Sequence, residues 1–121
     1  MGEERRQFRR MPSKLVIQYS VRPSKESHLT TTVDIGGGGI CFLVPQPIPR
    51  KSYVDCELTL PGGRRPITFT AQVAWCDPPP KAAKSRCRAG LEMIFIEQAD
   101  QLALTRYCIK LGELKPPPAK G

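Results

Sequence analysis

The sequence predicts an all-β fold: a six-stranded antiparallel β-barrel followed by a C-terminal α-helix. Two observations carry this. Six short segments alternate apolar and polar residues or run apolar throughout, and they are joined mostly by turns rich in proline and glycine. After Glu97 the apolar period lengthens from two residues to between three and four.

In the first segment, Lys14 to Arg22, Leu15, Ile17, Tyr19 and Val21 alternate with Val16, Gln18 and Ser20, as a half-buried strand requires. The polar turn Pro23 to Ser27 follows. The second segment alternates Leu29, Thr31, Val33 and Ile35 with polar partners, which places those four residues on the core side. It runs directly into Gly36-Gly37-Gly38-Gly39. The third, Ile40 to Val44, is apolar at every position and is expected to be covered on both faces. Pro45, Pro47 and Pro49 end it, since proline cannot donate to a ladder.

In the fourth segment, Tyr53 to Leu60, Val54, Cys56, Leu58 and Leu60 oppose Tyr53, Asp55, Glu57 and Thr59. Pro61 to Arg65 makes a turn into the fifth, where Ile67, Phe69, Ala71, Val73 and Trp75 share the inward pattern. A solvated loop, Asp77 to Arg86, precedes the sixth, in which Ala89, Leu91, Met93 and Phe95 are expected inside. Leu104, Tyr107, Cys108, Leu111 and Leu114 then form one helical stripe. Lys115 to Gly121 holds three consecutive prolines and is expected to be a mobile tail.

With 121 residues, 40% hydrophobic and 25% charged, the chain has the composition of one ordinary globular domain. A net charge of +8 favours anionic partners. No stretch reaches the roughly 20 apolar residues of a spanning helix. The first residues are charged where a signal peptide would be apolar, so no membrane insertion and a cytoplasmic location are expected. The five cysteines, Cys41, Cys56, Cys76, Cys87 and Cys108, contain no CxxC pair, and His28 is the sole histidine. No metal site is expected, and the thiols read as small buried hydrophobes. The sequence offers no nucleophile–base pair and no GxxxxGK[ST] phosphate loop; catalysis is not expected and no catalytic residue is assigned.

Two clusters stand apart. Arg5, Arg6, Arg9 and Arg10 place four permanently charged, planar forks within six residues, suited to phosphate oxygens and to the O6/N7 edge of guanine. Asp34, at the end of the second segment, offers a carboxylate acceptor for guanine N–H donors. The glycines after it remove side chains where a ligand must approach the backbone.

In this combination, Arg5-Arg6 followed by Arg10 and then Asp34-x-x-x-x-Gly39, the chain resembles the PilZ family, whose pattern is RxxxR followed by [D/N]xSxxG. The strand order, Val73-Ala74-Trp75, Gly90 to Phe95 and the terminal helix suit it as well. The resemblance implies a PilZ-type barrel that binds cyclic di-GMP and passes its level to a protein partner in motility, adhesion or exopolysaccharide output. It carries Arg6 and Arg10 onto the paired arginines, Arg5 onto the residue before them, and Asp34 and Gly39 onto the second motif. It also implies three parts: a flexible arginine-rich arm over residues 1–12, a barrel over 13–96, and a helix with a proline-rich tail over 97–121. Gly36 stands where the family usually has serine; a lost hydrogen bond of that kind costs on the order of 1 kcal/mol, or several-fold in affinity.

The ligand-binding residues expected are therefore Arg5, Arg6, Arg10, Asp34, Gly36 and Gly39, with Arg9, Gly37, Gly38, Trp75 and Arg88 as secondary candidates at the border. The bland readings are a solvated tail for the arginines, a turn cap for Asp34, and a core or barrel-edge place for Trp75. Two other functions compete. A ligand-free adaptor of the same fold is favoured by Gly36. A single-strand nucleic-acid binder is suggested by the charge and disfavoured because aromatic residues are only 7% of the chain.

Overall fold

The computed structural model describes residues 11–36, 38–63, 65–77 and 87–114. The strands are β1 (Met11–Pro12), β2 (Val16–Val21), β3 (His28–Ile35), β4 (Gly39–Val44), β5 (Tyr53–Leu58), β6 (Ile67–Asp77) and β7 (Cys87–Ile96), followed by helix α1 (Gln98–Leu114). All pairings are antiparallel. The sheet runs β1-β3-β2-β5-β6-β7-β4, and β3 also pairs with β4. That last pairing closes β3, β2, β5, β6, β7 and β4 into a six-stranded barrel and removes the free edges an open sheet would expose.

The alternation in β5 translates directly into burial, with Val54, Cys56 and Leu58 inside and Tyr53, Asp55 and Glu57 outside. Ile17, Ile35, Ile40, Phe42, Leu58 and Leu91 are among the fully buried side chains of the core. Each contributes on the order of 2 kcal/mol by leaving water. Tyr19 and Phe42 pack with ring centroids 5.0 Å apart. β4 is buried on both faces as its composition requires. Helix α1 lays Leu104 into the core, with Tyr107 and Cys108 packed against it and Leu111 buried one turn on. Asp100, in its first turn, is also buried; it accepts from the Thr68 backbone N–H and hydroxyl and pairs with Arg65 at 3.0 Å. The proline-rich tail lies outside the described residues.

Three strands face differently from the alternation in the sequence. In β3 the inward residues are Thr30 and Thr32, while Leu29 is 69% exposed. The reason is hydrogen bonding. The Thr30 hydroxyl donates to the Leu43 carbonyl, and the Thr32 hydroxyl donates to the Ser13 carbonyl while accepting from the Leu15 N–H. Thr32 thereby stitches the gap between β1 and β2, which flank one edge of β3. A register shift between Thr32 and Asp34 then returns Ile35 to the core. In β7, Met93 pairs with Ala71 but Phe95 pairs with Thr70, leaving Ile94 as an extra residue. This bulge turns Phe95 outward, 62% exposed, and lets Ile96 pack against the core. In β6, Val73 pairs with Leu91 and Trp75 with Gly90, so Ala74 is extra and Trp75 changes face.

Candidate ligand-binding site

The shift at Ala74 aligns Trp75 with residues of four other strands on the outer wall. The pairs Pro12↔Asp34, Asp34↔Cys41, Cys41↔Gly90 and Gly90↔Trp75 form one continuous transverse row. Directly paired residues point to the same side of a sheet. At the usual strand spacing of about 4.8 Å, the row from Asp34 to Trp75 spans roughly 14 Å, the scale of a dinucleotide.

Each member of the row is placed by local causes. Asp34 is half-buried and follows the irregularity that ends the Thr32 stitch. Gly90 is buried because the indole of Trp75 lies on it; a Cβ there would fall well inside 3.0 Å of three indole atoms. Glycine is therefore the one residue that lets the half-buried Trp75 lie flat against β7. Arg88, two residues along the same face, is exposed and pairs with Leu43 and Asp77.

Beside the row, β3 turns into β4 through the glycines. The Gly36 N–H donates to the Gly39 carbonyl at 3.0 Å, and the Met93 N–H donates to the Gly38 carbonyl at 3.1 Å. Gly36 and Gly39 are buried and Gly38 is exposed. Gly38 is thus pinned to β7, and Gly36 to Gly39.

The root of the arginine arm is fixed against this same corner. Met11 pairs with Ile35 and Pro12 with Asp34, so two residues expected to belong to the arm form strand β1 instead. The Ser13 N–H donates to the Val33 carbonyl at 3.1 Å, and the Ser13 hydroxyl lies 2.9 Å from the Tyr107 hydroxyl of α1. Arg5, Arg6, Arg9, Arg10 and Gly37 lie outside the described residues. Arg10 directly precedes Met11 in the chain, and Met11 pairs with Ile35 beside Asp34.

The ion pairs lie elsewhere. Arg22 makes a bidentate contact to Asp55, Nε to Oδ2 at 2.9 Å and Nη2 to Oδ1 at 2.8 Å, and the Thr70 hydroxyl donates to the same carboxylate. The hydrogen bond from Arg22 holds the Asp55 carboxyl below its ordinary value, and the same contact raises the Arg22 guanidinium. Burial pushes the Cys56 thiol well above its ordinary value. Among the described residues no group of His, Cys, Asp or Glu is arranged to hold a metal ion.

Sequence reasoning missed the Thr32 stitch, the Ser13–Tyr107 bond and the outward turn of Trp75. Thr30 and Thr32, two hydroxyls at alternate positions of an apolar strand, are the one available signal, and periodicity alone assigns them to the solvent face.

The fold and the row together define a small closed β-barrel whose outer wall aligns Asp34 with Trp75. A family model described as PilZ domain matches residues 4–110, and the chain belongs to the PilZ domain family. No curated protein sequence is a match to it. Among solved structures it is similar to the inhibitor of motility MotI/DgrA of Bacillus subtilis, with a TM-score of 0.78 and 26% identity over 92% of this chain and 52% of that one. It therefore spans about half the length of that protein. The PilZ domain of YcgR from Escherichia coli, solved with c-di-GMP, superposes with a TM-score of 0.69 and 14% identity over 91% of this chain and 93% of that one. The MrkH–c-di-GMP complex of K. pneumonia gives 0.72 and 15%, over 93% and 54%. No helix of the described residues is long and apolar enough to cross a membrane.

Proposed function

We propose that this PilZ domain is a cytoplasmic receptor for cyclic di-GMP that passes the second-messenger level to a protein partner, and that it performs no catalysis. The observation that carries the reading is the pairing of Pro12 with Asp34. It sets the strand that directly follows the arginine-rich segment beside Asp34, which supports the reading that both motifs act on one surface. Family membership and the c-di-GMP-bound relatives support it.

The roles follow from the chemistry. Arg6 and Arg10, with Arg5 and Arg9 beside them, clamp phosphodiester oxygens or the O6/N7 edge of guanine with bidentate forks. Asp34 accepts from guanine N1–H and N2–H, a donor pair adenine lacks, and so sets base selectivity. Gly36 to Gly39 keep side chains clear of the approaching ligand, and Trp75 on Gly90 offers a flat apolar surface at the far end of the row. Closure of residues 1–10 over the dinucleotide orders a surface that engages the partner. Motility, adhesion and exopolysaccharide output are the processes such a receptor serves.

Titration calorimetry decides it. Cyclic di-GMP is expected to release heat on binding and cyclic di-AMP is not; Arg10→Ala abolishes the signal and Asp34→Ala narrows the gap between the two dinucleotides. Absence of heat with folded protein at high micromolar ligand overturns the reading. It would leave the ligand-free adaptor, which Gly36 in place of serine favours.

A further inference from the structure

On the far wall of the barrel, the outward residues of β2, β5 and β6 floor a concavity of about 520 Å³. We propose that this groove docks an extended, basic protein segment that also presents an apolar side chain. The proposal goes beyond cyclic di-GMP reception and does not rest on it. In the closed strand order β5 stands opposite β4, so the groove and the glycine turn occupy opposite walls and can be filled together.

Charge selects the occupant. Lys25 and Arg65 line the groove against Asp55, Glu57, Glu97 and Asp100, and with Arg22, which is bonded to Asp55, the local balance is −1 on a chain whose total is +8. Asp55 is held by Arg22 and Asp100 by Arg65. Glu57 and Glu97 are exposed, and neither has an ion-pair partner among the described residues. An anionic nucleic acid or lipid surface is repelled there, whereas lysine or arginine side chains find two open carboxylates.

The rim supplies the second element. The bulge in β7 leaves two consecutive large apolar residues facing solvent, Ile94 at 50% and Phe95 at 62% exposure, and Phe95 lines the groove. A register without the extra residue would have buried one of them. An exposed aromatic beside desolvatable charges is the composition of an interface anchor, and bulges gather at functional edges. The floor between them, Gln18, Ser20, Thr68 and Thr70, is short and polar, leaving room for an extended backbone to lie across the strands.

The test is an amide-resolved NMR titration of the whole chain, without dinucleotide, using a short synthetic peptide of alternating arginine and leucine and a glutamate–leucine peptide of equal length. Binding of the basic peptide is expected to shift the amides of Glu57, Thr68, Thr70 and Phe95. Glu57→Lys and Phe95→Ser should each weaken it by about tenfold. Both side chains are exposed, so the fold survives, as the same spectra report. Shifts confined to the Asp34 wall, equal response to the acidic peptide, or variants that bind like the parent overturn the proposal. So does a concentration-dependent dimer that protects these amides, because a second copy would then be the occupant.

Discussion

Replacing Gly90 by alanine adds one methyl group at the point where the Trp75 indole meets β7. The new Cβ would lie inside 3.0 Å of Cε2, Cζ2 and Nε1 of that ring, closer than real contacts come. Restoring an ordinary separation of roughly 3.5–4.0 Å moves the indole by about 1 Å or more, or displaces β7. Overpacking of this kind costs about 1–3 kcal/mol, which in a domain of this size lowers Tm by roughly 3–10 °C. Trp75 is the sole tryptophan of the chain, so its emission reports the displacement without a label. Thermal unfolding by circular dichroism and the emission maximum are measured on the wild type, on Gly90→Ala, on Trp75→Ala and on the double variant. The clash requires both side chains; in the Trp75→Ala background the added methyl is expected to cost almost nothing. Cyclic di-GMP affinity should fall about tenfold in Gly90→Ala, the scale of one lost base–aromatic stack. An unchanged emission maximum with a Tm within about 1 °C of wild type, or additive costs in the double variant, refutes the packing account.

Two further outcomes follow from the fold. Thr32→Val keeps shape but strips the Leu15 N–H and the Ser13 carbonyl of their shared partner; stranding buried groups costs about 2 kcal/mol, so calorimetry should show Tm lower by roughly 8 °C, and a change below about 1 °C would sink the stitch. The Asp55 carboxyl titrates below its ordinary value in the folded chain because Arg22 bonds it. The stability this pair contributes is therefore present above pH about 4 and lost as pH falls through the depressed folded value; the Tm difference between wild type and Asp55→Asn should close in acid, and a difference that persists at pH about 2 would be wrong for this linkage.

The number, order and approximate limits of the six barrel strands were legible because apolar and polar residues alternate within short, punctuated segments. β5 shows the rule at its clearest, with three residues in and three out. Facing was lost wherever one extra residue entered a ladder. Nothing in Val73-Ala74-Trp75 or in Met93-Ile94-Phe95 marks Ala74 or Ile94 as supernumerary, since a bulge is set by what the neighbouring strand offers. β3 failed for another reason: threonine satisfies a buried carbonyl as readily as it faces water, and periodicity cannot distinguish the two. At the candidate site, residue type and spacing single out Asp34, Gly36 and Gly39, which the structure gathers at one corner. The outward place of Trp75 was not legible, because its row exists only after five strands have met.

The hydrogen bond between the Ser13 and Tyr107 hydroxyls ties the residue that follows β1 to the middle of the terminal helix. Displacing Ser13 by an ångström must stretch that bond or drag the helix along with it. The entry of the chain into the sheet and the posture of its last element are in this way mechanically geared.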